Sequence, residues 1–344
     1  MKSEFQIGDR KIGDGFSPFV IAEVGINHEG EFSKAIELVD AAVESGADCI
    51  KFQCHITEAE MVPTDMKPGA ISEERLWDII KRCELTENEE RRVKDYCEKK
   101  GILYLCTPFS REAGDRLESM GVLGYKIGSG ECNNLPFLEH ISRKGKPVIL
   151  STGMNDIPSV RKSVEIFRKN NVPLMLMHCT SMYPTPYENV RLGAILELKR
   201  EFGLPVGLSD HSIGIYTCLG AVALGACALE KHFTITREWP GPDVSISIEP
   251  AELAELVKGS RAIHAASNGS KDILPGEQPV IEFAYASIVS IRDIEEREKF
   301  TLDNLWVKRP GTGIPAAELG LTLGRRARRS LKSDVTLTPE DIVK

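Results

Sequence analysis

The chain lacks the features that would assign it to a membrane, a secreted scaffold or a nucleic-acid complex. No apolar run approaches the roughly 20 residues of a membrane-spanning helix, and the N-terminal stretch MKSEFQIGDRKIGDG has no apolar secretory segment. The 9 cysteines form no CxxC pair, and their odd number favours reduced thiols over a disulfide framework. A net charge of -8 favours neither nucleic acid nor an anionic membrane as partner. These absences predict a cytoplasmic protein with no nucleic-acid and no membrane partner.

Eight short apolar runs recur at roughly even spacing, and segments with helical periodicity lie between them. This alternation is typical of a barrel of parallel strands, each followed by a helix. The sequence therefore predicts an α/β fold, a TIM (β/α)8 barrel, with an active site where the strands end. The runs are Phe19–Glu23, Cys49–Gln53, Ile102–Thr107, Tyr125–Ser129, Val148–Ser151, Leu174–His178, Val206–His211 and Ala226–His232.

The ends of these runs carry polar residues that are able to do chemistry. Buried strands usually avoid charge, because unpaired charge is costly there, so such endings in series indicate an enzyme. We expect the following side chains to converge on one pocket: Glu23, Lys51, Gln53, Thr107, Lys126, Ser129, Ser151, Asp210, His211, Glu230 and His232.

After Ala265 the pattern changes to a stretch rich in glycine, proline and polar residues, which is typical of a linker. We predict a catalytic barrel over residues 1–270, a linker over 271–285 and a small β-rich domain over 286–344. That last domain has 11 Lys and Arg against 9 Asp and Glu. Its basic cluster Gly324–Lys332 is interpreted as a solvated or barrel-facing surface rather than a nucleic-acid patch.

Two strand-end lysines, Lys51 and Lys126, predict a pocket for a phosphate-sized anion. Phosphate is bound by positive charge together with several short donors, and a glycine-containing turn lets the backbone come close. The alternative is that both lysines form structural ion pairs with Glu23 or Glu230. The hydroxyls available to the anion are those of Thr107, Ser129, Ser151 and Ser209.

His211 and His232 end neighbouring runs and predict a shared divalent cation. With only two protein nitrogens, a loosely held Mn²⁺ or Mg²⁺ is favoured over structural zinc. Asp210 and Glu230 are expected to orient the imidazoles. Glu23 and Glu131 are the acid–base candidates. Burial would raise the pKa of a carboxyl group there, and the neighbouring lysines would lower it.

Several long motifs resemble the sialic acid synthase family across essentially the whole chain. The resemblance implies condensation of phosphoenolpyruvate with N-acetylmannosamine to give N-acetylneuraminate and phosphate, with Mn²⁺ or Mg²⁺. It also implies a C-terminal antifreeze-like (SAF) domain and a domain-swapped homodimer. The motifs are Ile21–Gly30, Lys126–Asn134, Leu150–Asn155, His178–Tyr187, Gly207–His211, Leu229–Phe233 and Asn304–Gly311.

The same resemblance implies a role for each site residue. Glu131 and Glu23 would be the catalytic pair, His211 and His232 would hold the metal, and Arg309 would come from the partner's tail. The phosphoenolpyruvate-binding residues would be Lys51, Thr107, Lys126, Ser129, Ser151 and Ser209. The sugar-binding residues would be Gln53, Phe109, Tyr183, Asp243 and Arg309.

Two departures from the family pattern concern the sugar. Ser181 stands where related synthases have Asn, and the loop within residues 56–75 lacks an Asn at Pro68–Ser72. Legionaminic acid synthase, acting on a 6-deoxy diacetamido sugar, is therefore the alternative within the family. A Schiff-base aldolase and an ice- or carbohydrate-binding protein are the alternatives of other classes.

Overall fold

The structure is a computed structural model that describes residues 4–68 and 72–343. The chain divides into two compact units, Met1–Asn268 and Gly269–Lys344. Gly69–Ile71, within the loop that departs from the family pattern, lie outside the described residues. Among the residues described, no helix is both long and apolar enough to cross a bilayer.

The first unit is a nearly closed barrel, which confirms the predicted fold class. Within the described residues, eight parallel strands are hydrogen-bonded in the order β5-β4-β3-β10-β9-β8-β7-β6, and the end strands β5 and β6 contact each other. The barrel strands are β3 Phe19–Gly25, β4 Cys49–Cys54, β5 Leu103–Pro108, β6 Tyr125–Ile127, β7 Val148–Ser151, β8 Leu174–Cys179, β9 Val206–Asp210 and β10 Ala228–His232; an antiparallel hairpin, β1 Glu4–Ile7 and β2 Arg10–Gly13, precedes them.

The hairpin closes the bottom of the barrel. Its apolar side chains Phe5, Ile7 and Ile12 pack in one buried cluster with Phe19 and Cys49, at the starts of β3 and β4. Because side chains alternate along a strand, the positions on the inner face of β3 after Phe19 are Ile21 and then Glu23. The barrel interior is therefore apolar at the bottom and becomes polar toward the carboxyl ends of the strands.

Helices surround the barrel and pack on the outward residues of the strands. A capping box of Thr86 and Glu89 begins the helix that starts at Glu87. The connection after β4, which includes the loop within residues 56–75, contains a helical turn, α2, and is followed by a short helix, α3. The helices are α1 Phe32–Glu44, α2 Thr57–Glu60, α3 Leu76–Cys83, α4 Glu87–Lys100, α5 Arg111–Ser119, α6 Leu135–Ser142, α7 Ile157–Lys169, α8 Tyr187–Val190, α9 Gly193–Phe202, α10 Tyr216–Ala223 and α11 Pro250–Ala266.

The second unit is small and has its own apolar core. It contains the helices α12 Gln278–Ala284 and α13 Leu319–Thr322 and the antiparallel strands β11 Ser287–Ser290 and β12 Leu305–Lys308. Ile288, Phe300, Leu305, Leu331 and Leu337 are buried together in that core.

Candidate active site

Lys51 lies at the centre of a buried ion network at the carboxyl ends of the barrel strands. The β3–β4 register places Lys51 beside Glu23, and the Lys51 Nζ lies 2.7 Å from Glu23 Oε2. The same ammonium donates to Thr107 Oγ1 at 3.1 Å and lies 3.8 Å from Glu230 Oε1. Burial would lower the pKa of Lys51, but Glu23 and Glu230 outweigh it and raise the pKa above its usual value.

Lys126 extends the network on the other side of Glu230. Its Nζ donates to Ser151 Oγ at 2.7 Å and lies 3.4 Å from Glu230 Oε1, which also accepts from Ser209 Oγ at 3.0 Å. Burial lowers the pKa of Lys126 in spite of Glu230. Burial also opposes the charge of Glu230, but Lys126 and Lys51 hold its pKa below the usual range.

The ion pairing that was the alternative to an anion pocket is thus present. Two ammonium groups face two carboxylates, while Glu230 Oε2 is buried without a hydrogen-bond partner. Burial raises the pKa of Glu23 although Lys51 opposes the shift. The anion-binding role of the lysines stays a prediction, and the network supplies both the charges and the hydroxyls that such a role needs.

The turn after β6 brings Ser129 next to the loop after β7. Ser129 Oγ accepts from the Gly153 backbone N–H at 3.0 Å. A Cβ on Gly153 would lie 2.5 Å from Ser181 Oγ and 2.8 Å from Ser129 Oγ, so glycine is needed there. Ser181, one of the departures from the family pattern, is therefore part of the same site.

His211 and His232 lie side by side, with ring centroids 5.3 Å apart. His211 Nδ1 lies 3.0 Å from the Thr180 carbonyl, to which it donates, so its Nε2 is left as the acceptor. His232 Nδ1 is buried without a hydrogen-bond partner, 3.8 Å from Asp243 Oδ2. A Cβ on Gly25 would lie 2.7 Å from Asp243 Oδ2, which explains the glycine there.

These imidazoles fit a divalent cation. Burial, followed by the repulsion that a protonated His211 exerts, lowers the pKa of His232 well below its usual value, so this ring is neutral as a ligand must be. Burial also opposes charge on His211, but contacts with Cys179 and the Thr180 carbonyl raise its pKa. In residues 4–68 and 72–343 no group of three or more His, Cys, Asp or Glu forms a metal site, so two nitrogens are what the chain offers.

The expectation that Asp210 and Glu230 orient the imidazoles is wrong. Asp210 Oδ2 pairs with Lys231 Nζ at 2.7 Å and accepts from Thr217 Oγ1 at 2.9 Å. Asp210 follows the inward-facing Ser209, so alternation turns it away from the barrel interior. Glu230 faces the lysines instead. His211 is oriented by the Thr180 carbonyl, which no sequence pattern reveals.

Glu131 lies on the turn after β6 and opens into a cavity of about 480 Å³ that it shares with Glu60 and Phe109. Asn134 Nδ2 donates to Glu131 Oε2 at 2.5 Å. Burial raises the pKa of Glu131; Asn134 opposes the shift and the charge of Glu60 adds to it. Glu131 therefore lies with Glu60, whereas Glu23 lies with the lysines.

Tyr183 lies beside the paired histidines, and Gln53 lies beside the ion network of the lysines. The Tyr183 ring stacks on His211 with centroids 4.1 Å apart, and Gln53 Nε2 donates to Glu23 Oε1 at 2.9 Å. Arg309 lies in the second unit, directly after β12, and is exposed. Its role across a dimer stays a prediction.

Sequence reasoning missed two residues next to Gln53. His55 Nε2 lies 2.9 Å from Gln53 Oε1, and Glu60 lies against the other ring nitrogen of His55. The available signal was spacing, because His55 follows Gln53 by two residues and so continues the inward face of β4 past its end.

Comparison with known proteins finds a family match for each of the two units of the chain. The model of the NeuB family matches residues 38–272, and the model of the SAF domain matches residues 285–343. The N,N'-diacetyllegionaminic acid synthase of Campylobacter jejuni is 39% identical over 325 residues, covering 92% of this chain and 97% of that protein. The human N-acetylneuraminate-9-phosphate synthase is 33% identical over 338 residues, covering 96% and 94%.

A solved structure has the same fold at comparable identity. The N-acetylneuraminic acid synthetase of Leptospira borgpetersenii, in complex with citrate, superposes with a TM-score of 0.74 at 36% identity, covering 82% of this chain and 96% of that one. The chain belongs to the NeuB family of sialic acid synthases, and it is a carbon–carbon bond-forming transferase that uses phosphoenolpyruvate.

Proposed function

We propose that the enzyme condenses phosphoenolpyruvate with an open-chain N-acetylated aminosugar, giving a nine-carbon keto-sugar acid and phosphate. The buried network of Lys51, Lys126, Glu23 and Glu230 at the barrel mouth carries this proposal. Two ammonium groups flanked by hydroxyls suit the phosphate and carboxylate of phosphoenolpyruvate. The neighbouring imidazoles and carboxylates suit the sugar end, where proton transfer and carbonyl polarisation are needed.

The reaction forms a carbon–carbon bond and a carbon–oxygen bond to water, and it breaks the carbon–oxygen bond between C2 and phosphate. C3 of phosphoenolpyruvate attacks the sugar aldehyde, water adds at C2, and the tetrahedral intermediate releases phosphate. Lys51, Lys126, Thr107 and Ser151 bind the anion. Gln53 and Glu23 hold the sugar, and Glu23 also helps to stabilise positive charge that develops at C2. Glu131 moves the proton at the aldehyde oxygen or the attacking water.

His211 and His232 would hold a divalent cation at the sugar end of the site. Such a cation, when bound, polarises a carbonyl oxygen as a Lewis acid. The chain contributes a neutral His232 and a His211 whose Nδ1 is fixed on the Thr180 carbonyl, so that the acceptor nitrogen faces away from the backbone.

Two acceptor sugars are candidates. N-acetylmannosamine, giving N-acetylneuraminate, follows from the motifs as a whole. A 6-deoxy diacetamido sugar, giving a legionaminic acid, is favoured by Ser181, which replaces a longer amide at a position close to Ser129 and Gly153. Two N,N'-diacetyllegionaminic acid synthases, 39% and 37% identical to this chain, also favour it.

Phosphate release from phosphoenolpyruvate, measured with a panel of aminosugars and each metal, tests the proposal. We expect release that depends on an N-acetylated aminosugar, with the highest kcat/KM identifying the acceptor. A chain that forms a borohydride-trapped adduct with pyruvate and releases no phosphate with any sugar would be an aldolase instead.

A further inference from the structure

A chain of four buried or half-buried side chains connects Glu60 to Glu23. His55 Nδ1 lies 3.1 Å from Glu60 Oε1 and 2.9 Å from Glu60 Oε2. His55 Nε2 lies 2.9 Å from Gln53 Oε1, and Gln53 Nε2 donates to Glu23 Oε1 at 2.9 Å. The side chains of His55 and Glu60 are only 4% and 5% exposed.

The direction of each hydrogen bond follows from which atoms can donate. The amide nitrogen of Gln53 donates to Glu23, so the amide oxygen faces His55 and can only accept. His55 Nε2 must therefore carry a proton. The carboxylate oxygens of Glu60 also only accept, so His55 Nδ1 carries a proton as well. Each hydrogen bond between Glu60 and Glu23 then has one donor and one acceptor, provided that His55 is an imidazolium paired with an ionised Glu60.

Reversing the Gln53 amide does not satisfy the chain. Its oxygen would then face Glu23 Oε1, and with Glu23 ionised two acceptors would oppose each other in a buried place. An imidazolium has no tautomers, because both ring nitrogens donate, here Nε2 to Gln53 Oε1 and Nδ1 to Glu60. The ionised Glu23 and the protonated ring together select one orientation of the amide.

Two elements outside the strands hold the pair in place. The turn α2 delivers Glu60, and its first residue, Thr57, donates its backbone N–H to Glu84 Oε1 at 2.5 Å. Phe109 stacks on the His55 ring with centroids 4.6 Å apart and planes 10° apart. The first contact anchors the turn that carries Glu60, and the second restricts rotation of the imidazole.

We propose that the His55–Glu60 pair is a positioning device that fixes the Gln53 amide and, through it, the Glu23 carboxylate for the aminosugar. This inference rests on the proposed function, since it assigns Gln53 and Glu23 to the sugar. His55 and Glu60 act through Gln53 and are positioning residues. Their loss therefore weakens use of the sugar and leaves binding of phosphoenolpyruvate largely unchanged.

A spectroscopic experiment tests the charge of His55 without any substrate. Nitrogen NMR of the full-length protein with labelled histidine resolves the protonation of both ring nitrogens, and His55→Gln assigns the signal. From the hydrogen-bond directions, we expect protons on both ring nitrogens of His55 in the wild type and the loss of one of them in Glu60→Gln. A neutral His55 in the wild type would overturn the proposal, whatever the activity of the enzyme.

A kinetic experiment tests the consequence for the sugar. Glu60→Gln should lower kcat/KM for the sugar about 10-fold or more and change the KM for phosphoenolpyruvate less than about 2-fold. Glu60→Asp, which keeps the charge, should recover part of the loss. The matched control is Glu90→Gln, because Glu90 is a carboxylate of similar burial whose partner is Arg116 rather than His55.

The outcomes separate the inference from the proposed function. Equal effects of Glu60→Gln on both substrates, or a loss of thermal stability alone like that of Glu90→Gln, would make the pair merely structural. If the wild type releases no phosphate with any aminosugar, the proposed function is wrong, and the protonation of His55 still decides whether the pair has the stated charge.

Discussion

Lys51 and Lys126 are almost fully buried, and each is held by a carboxylate and a hydroxyl rather than by solvent. Burying an ammonium costs several kcal/mol unless partners compensate it. A charge network at the end of strands that are otherwise apolar is therefore better explained by ligand binding than by stability.

The first prediction concerns Lys126. Lys126→Met should raise the KM for phosphoenolpyruvate about 10-fold or more and the KM for the sugar far less, because charge pairing with an anion is lost. Steady-state phosphate release measures both values. Lys94→Met is the control, since Lys94 is also mostly buried and pairs with Glu98. An effect confined to the sugar KM would remove Lys126 from the anion pocket.

The second prediction concerns the imidazoles. Chelation should abolish turnover, Mn²⁺ or Mg²⁺ should restore it, and His232→Ala should weaken Mn²⁺ binding by at least about 10–100-fold. Electron paramagnetic resonance of free Mn²⁺ measures binding without turnover. His178→Gln should bind as the wild type does, because His178 Nε2 bonds the Val190 carbonyl instead. Full activity of His232→Ala after chelation would contradict the metal site.

At the scale of elements, the positions of the barrel strands were predictable because buried parallel strands form continuous apolar runs between glycine-terminated helices. What the sequence did not reveal, namely the orientation of Asp210, the helix α3 and the partner of His211, has physical causes. Asp210 was grouped with the site by its place at a strand end, although alternation from Ser209 turns it outward. The helix α3 was missed because it is short and follows a long connection, and the contact of His211 with the Thr180 carbonyl depends on loop geometry.

The third prediction follows from the correction of Asp210. Asp210→Asn should lower the free energy of unfolding by about 3–5 kcal/mol, because Lys231 would be left buried and unpaired, and urea denaturation measures this loss. Burial opposes the ionised form, but Lys231 lowers the pKa of Asp210 below 3.8. The stabilisation is therefore complete above that pH and lost as the pH falls below it.

The control for this prediction is the double variant Asp210→Asn with Lys231→Met. Removing both charges should recover much of the lost stability, since no unpaired ammonium remains in the core. If the single variant is as stable as the wild type but inactive, Asp210 would belong to the catalytic machinery after all.

At the scale of the whole molecule, the chain joins a barrel to a small unit that carries the exposed Arg309. The fourth prediction is that Arg309 acts in trans within a homodimer. A mixture of Arg309→Ala and Glu131→Gln chains should recover activity as heterodimers form, because one site then contains both native groups. Arg309 offers a planar fork of donors suited to polar sugar groups.

The control for complementation is a mixture of either variant with itself, which should stay inactive after the same exchange treatment. Subunit exchange must be verified by mass, for example with a tagged chain. An inactive mixture after verified exchange would contradict a role in trans. A fully active fragment of residues 1–270 would contradict any role of the second unit in the reaction.

The hairpin that seals the bottom of the barrel has a kinetic consequence. Because Phe5, Ile7 and Ile12 close the bottom of the barrel, ligands reach the site from the carboxyl ends of the strands. Lys126 lies deep in it at 2% exposure, whereas Tyr183 stands at 37% nearer the rim. For the proposed reaction, the ligand of the lysines must enter first, and the sugar then covers it. Phosphate must in turn leave last, so product inhibition by phosphate should be competitive toward phosphoenolpyruvate and not toward the sugar.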